Sequence, residues 1–137
     1  MRKFAIALAA LGIAAVVTGI GLAQNDSEFQ ELMKSTAGAV KQLNSEVTAK
    51  NGQAASGKAK EVEANFKKME AFWSDREKDD AVEWAQDAQA SAADIAESAS
   101  GGDFEAAAAS LKELGATCGS CHKVHREKLP DGGFKIK

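Results

Sequence analysis

The chain of 137 residues has one proline, no tyrosine, two cysteines and two histidines. So little proline beside so much alanine argues against a β-sandwich or a disordered chain and favours helices. With a net charge of −3 and no dense Lys/Arg run, it lacks the phosphate contacts that supply most nucleic-acid affinity, which excludes a DNA-binding module. No pair of carboxylates marks an acid–base centre, so an enzyme is not expected. The informative residues lie near the two ends.

At the N-terminus, Arg2 and Lys3 precede an apolar run from Phe4 to Leu22, and Gly21-Leu22-Ala23 supplies the small residues a signal peptidase requires. The expectation is a signal peptide over residues 1–23. Cleavage after Ala23 leaves a domain of residues 24–137, and loss of the two leader cations takes the net charge from −3 to −5. On length alone the run could span a bilayer, so the alternative is an uncleaved anchor that ties the domain to the membrane. Gly12, Thr18, Gly19 and Gly21 lower its hydrophobicity and favour cleavage. In either case the positive-inside rule puts the domain outside the cytoplasm. The leader looks bacterial, which implies the periplasm, an oxidising compartment where two cysteines need a reason not to form a simple disulfide.

The rest of the chain reads as four amphipathic helices. The first opens at a Ser27-Glu28-Phe29-Gln30 capping box and carries Phe29, Leu32, Met33, Thr36, Val40, Leu43 and Val47. The second runs from about Ala54 to Trp73 with Ala55, Ala59, Val62, Phe66, Met69 and Trp73 on one stripe. A third follows an Asp80-Ala81-Val82-Glu83 box, with Ala81, Trp84, Ala88, Ala92, Ile95 and Ala99 facing inward, and Gly101-Gly102 ends it. Asp103 caps the fourth, whose stripe is Phe104, Ala108, Leu111, Leu114, Cys118 and Cys121 and which stops before Pro130. No strand-like alternation is present. Short connections make consecutive helices antiparallel, so the expected fold is all-α, an up-down-up-down four-helix bundle, with a three-helix arrangement as the competitor.

The fourth helix contains Cys118-Gly119-Ser120-Cys121-His122, a C-x-x-C-H run. Two thiols three residues apart on one helical face are spaced to add to the two vinyl groups of a haem. The adjacent His122 then offers its imidazole to the iron. Thioethers also explain how two periplasmic cysteines escape oxidation. A redox-active C-x-x-C needs a βαβ context that is absent. A zinc site from Cys118, Cys121, His122 and His125 would need tetrahedral convergence from one continuous helix. A local disulfide is the third alternative. Bundle topology adds an independent argument, because it gathers Phe29, Met33, Phe66, Met69, Phe72, Trp73 and Trp84 at the end where His122 lies. A flat apolar group needs such a wall, although aromatics also pack bundle ends without one.

With its leader, four helices and C-x-x-C-H run close to the C-terminus, the chain resembles the class II cytochromes c, the cytochrome c′ and cytochrome c-556 group. Leu32-Met33-Lys34 resembles the Leu-Met-Lys segment of cytochrome c-556, whose Met is the sixth iron ligand. Arg126, four residues after His122, matches an Arg that the family places beside the proximal haem face. Where the family usually has Tyr or Phe before that Arg, this chain has His125, and its connection between helices two and three is shorter. The family often pairs two subunits through helices one and two, so a homodimer is among the expectations. Elimination among the residues leaves Met33, Met69 or no sixth ligand, and helix adjacency favours the first. His125 shares a helix with His122 and cannot reach the opposite haem face, so it is expected at the surface or against a propionate. Met69 lies on helix two, diagonal to helix four, whereas Met33 lies on the neighbouring helix one. Gly115 and Gly119 on helix four suit close approach of the haem or a helix, or merely tolerate their positions.

The expected function is a periplasmic carrier of single electrons with one covalent haem c, held by Cys118 and Cys121 and ligated by His122 and Met33. Its redox partners are expected to be basic, given the acidic chain. The alternatives are a five-coordinate cytochrome c′ that binds nitric oxide or carbon monoxide, and a non-haem exported bundle.

Overall fold

Asn25, not Ser27, starts the first helix. In the computed structural model, which describes residues 25–137, its side chain accepts from the Glu28 N–H at 2.9 Å while Glu28 accepts from the Asn25 N–H at 3.1 Å. The capping box is thus real but two residues earlier than the Ser27–Gln30 reading. The expected signal peptide and its cleavage site lie outside the described residues. Among those described, no helix is long and apolar enough to cross a membrane.

Four helices follow in order: α1 (Asp26–Thr48), α2 (Gly52–Ser74), α3 (Asp79–Ser100) and α4 (Phe104–His125). The Asn51 and Asp103 side chains cap α2 and α4 by accepting from the Ala54 and Ala106 N–H groups. The Asp80–Glu83 box does not form. Helix α3 begins at Asp79, two residues before a cap at Asp80 would start it, and its flanking Lys78 makes no side-chain cap bond. Asp80 is engaged elsewhere, as described below.

Each helix packs against its neighbours in a ring, α1 on α2, α2 on α3, α3 on α4 and α4 on α1. That ring is the arrangement of an up-down-up-down four-helix bundle. Leu43, Val62, Ile95 and Leu114, one from each helix, are fully buried and form its middle. The closest pair is α2 and α3, because α3 presents mainly alanines (Ala85, Ala88, Ala92 and Ala96) to its partner. Gly52 shows how near they come, since a Cβ there would collide with the Ala99 carbonyl oxygen. On α4 the buried alanine is Ala107 rather than Ala108, a shift of one position around the helix. A Cβ on Gly115 or Gly119 would meet nothing within 4 Å, so helix packing is not the reason for either glycine.

The loosest neighbours are α1 and α4. Their seam opens at the end of the bundle where α4 finishes, and a two-stranded antiparallel hairpin lies there: β1 (Arg126–Lys128) and β2 (Phe134–Ile136). The sequence reading contained no strand. Three-residue strands are too short to show alternation, but Pro130-Asp131-Gly132-Gly133 is a turn pattern with a mechanism. Gly132 takes φ +88, a left-handed conformation that suits glycine. The Gly132 N–H donates to the Leu129 carbonyl, and the Leu129 N–H donates to that of Gly133. The Lys137 N–H donates to the His125 carbonyl at 3.0 Å, which fastens the hairpin to the end of α4.

Candidate functional site

The open seam forms a cavity of about 480 Å³. Cofactor pockets usually span ~300–1,000 Å³. Its walls come from the start of α1 (Phe29, Met33), the later half of α2 (Phe66, Met69, Trp73), the start of α3 (Ala81, Trp84) and the end of α4 (Cys118, Cys121, His122). The expected collection of apolar side chains at one bundle end is therefore present. Phe72 sits just behind this wall, stacked on Phe29 with ring centroids 3.8 Å apart, and Trp73 meets both rings edge-on.

Cys118 and Cys121 are partly buried free thiols, and helical spacing brings both to the cavity. Burial pushes both thiols up, Cys121 to about 11 with further repulsion from Cys118 and Asp80. Reactive disulfide-exchange cysteines have depressed values, so this pair is poorly suited to redox exchange. His122 lines the same wall. Burial lowers its pKa, and the nearby Arg126 cation lowers it further, so the imidazole is neutral at pH 7 and keeps a lone pair for a metal.

His125 departs from expectation. It is neither at the surface nor free for a propionate, being only 8 % exposed. Its Nε2 lies 3.0 Å from both carboxylate oxygens of Asp80, and its ring packs on Trp73 and Trp84 with centroids 4.8 and 6.1 Å away. The pair ties the last residue of α4 to the first turn of α3, beside the cavity. Burial pushes the Asp80 carboxyl up, but hydrogen bonds from His125 and the Ala81 N–H, with the attraction of His125, outweigh it and hold the carboxyl below its ordinary value. A depressed carboxyl contributes stability that is present above its unfolded pKa and is lost as pH falls through the folded one. Asp80→Ala should therefore lower the thermal midpoint at pH 7, and the gap to the parent should close in acid. A gap that is constant across an acid titration would contradict the hydrogen-bonded Asp80–His125 contact.

Among the described residues, no group of three or more His, Cys, Asp or Glu side chains gathers to hold a metal ion. Two thiols and a neutral imidazole that line one apolar cavity suit a haem, which would be held through the two sulfurs and one imidazole nitrogen. Both methionines singled out by the sequence reach the cavity: Met33 half-buried on α1, and Met69 only 2 % exposed and packed in the core. Arg126 is also at the cavity, its guanidinium 4.2 Å from the centroid of the Phe134 ring. Leu129, Phe134, Lys135 and Ile136 complete the lining and were missed because the hairpin was missed.

Residues 60–126 match the family model described as Cytochrome C′, a span from the first half of α2 through the C-x-x-C-H run to Arg126. Searches of curated proteins and of solved structures gave no significant match. The family implies a haem c cofactor, for which the cavity supplies the residues. The bundle, its cavity and this match support a cytochrome c′ type family for the chain, and with it a c-type cytochrome.

Proposed function

We propose that this cytochrome carries single electrons in the periplasm, with one haem c attached at Cys118 and Cys121 and ligated by His122 and Met33. The observation that carries the reading is the sharing of one cavity by Cys118, Cys121, His122 and Met33, with Met33 on the helix that adjoins α4 across the loose seam. When bound, the haem supplies a one-electron iron couple. The chain's own residues do the rest. His122 stays neutral and available, kept so by burial and further by the nearby Arg126 cation. Phe29, Phe66, Trp73 and Trp84 exclude water. The His125–Asp80 pair fixes the end of α4 on which His122 stands.

Ferric and ferrous absorption spectra test the reading. A low-spin spectrum with a Met-to-iron charge-transfer band is expected. A high-spin ferric spectrum, with carbon monoxide binding on reduction, would transfer the chain to the five-coordinate, gas-binding reading. The apolar walls of the cavity would accommodate such a ligand.

Charge sets the encounter with partners. The domain after the leader carries −5 overall, which favours a basic partner at long range. Electron transfer to such a partner should slow as ionic strength rises from ~0.01 to 0.15 M, as the screening length shrinks from about 30 to 8 Å. Along the C-terminal segment itself the exposed cations Lys123, Arg126, Lys128, Lys135 and Lys137 outnumber the acids Glu127 and Asp131, so that face is locally positive. If only acidic partners show the salt effect, docking occurs through this C-terminal face instead.

A further inference from the structure

The family match ends at Arg126, where the C-terminal hairpin begins. Pairing in the hairpin sets Arg126 opposite Ile136 and Lys128 opposite Phe134, so these four side chains share one face. Arg126, Phe134 and Ile136 all line the cavity that holds Cys118, Cys121 and His122. Ile136 already packs on the core, whereas Phe134 is 44 % exposed. Among the described residues, only Val124 and Phe134 are large apolar side chains left exposed. An aromatic ring at a cavity wall, held there by an Arg stacked on it, is placed for something flat and apolar to cover it. The hairpin is also fixed, by the Lys137-to-His125 backbone bond and by the Leu129–Gly133 turn.

From this we infer that the hairpin is the outer wall of the haem pocket, with Phe134 and Ile136 as haem-contacting residues that shield the His122 end of the cavity from water. The inference rests on the haem reading above and adds residues that the family match does not reach. Its chemistry is simple. The ring and the isoleucine side chain cover apolar macrocycle, while Arg126 brings positive charge to the same mouth, where carboxylates of a bound group would be favoured.

The test uses the full haem-loaded chain. Proton NMR should show the Phe134 ring and Ile136 methyl resonances displaced far from their ordinary positions by the haem, in either spin state. In Phe134→Ala, the His122 ring N–H should exchange with solvent faster than in the parent protein. The midpoint potential should fall as water gains access. Phe134→Leu should recover most of both effects. Unchanged helical content in the far-ultraviolet would show that the bundle itself is intact. A chain that takes up no haem would remove the functional reading and this inference together. Haem-loaded protein with Phe134 and Ile136 at ordinary positions would overturn the hairpin inference alone.

Discussion

Replacing Met33 with alanine should turn the ferric protein from low-spin to high-spin, abolish the Met-to-iron charge-transfer band and open the reduced iron to carbon monoxide. The same change at Met69 should do none of these. The two residues line one cavity, but their surroundings differ. Met69 is 2 % exposed, inside the core cluster, so its sulfur is a packing atom among Phe66, Trp73 and their neighbours. Truncating it should cost about 2–5 kcal/mol of stability, the range for buried Met-to-Ala changes, without altering the spectrum. Met33 is half-buried on α1, next to α4 in the ring of helices. Its loss should leave the bundle folded and lower the potential, because a thioether ligand raises it. Equal spectra for the parent and Met33→Ala would remove Met33 from the iron. A lost band in Met69→Ala would move the role to α2.

The bundle was legible in the sequence because each helix is long enough for its stripe to be read more than once. Leu43, Val62, Ile95 and Leu114 each recur at helical spacing with apolar neighbours, and all four are buried. Helix ends were harder, since a single turn carries the signal and two patterns compete. Ser27–Gln30 and Asn25–Glu28 have the same spacing, and the chain uses the earlier one, which places Asp26 and Glu28 in the first turn where the helix dipole favours acids. Asp80 illustrates a different difficulty. Its place before Glu83 resembles a cap, but its partner is His125, 45 residues away, and no local pattern carries that information. The spacing of His125 from His122 likewise points only to the surface or a propionate, and carries no trace of Asp80. The C-x-x-C-H run and the cavity aromatics were readable because their spacing lies within single helices and bundle topology fixes which ends meet. Phe134 and Ile136 were not, because their place depends on the turn at Pro130–Gly133.

The second large effect concerns Cys118 and Cys121 themselves. Their thiols are neutral at pH 7, poorly disposed to redox exchange, and share the cavity wall with a neutral His122. With both thiols consumed as thioethers, no thiol should remain for alkylation under denaturing conditions, whereas a Cys118→Ala/Cys121→Ala double variant should retain no colour after denaturation. The single variants should each keep one bond and hold the haem through denaturation with a shifted spectrum. The most direct measurement is intact mass of the wild-type chain, made with a haem-attachment system, after acid-acetone extraction. The account predicts that the protein remains red and is heavier by one haem. Colour that passes into the acetone, or a chain of unmodified mass bearing stoichiometric zinc, would contradict it.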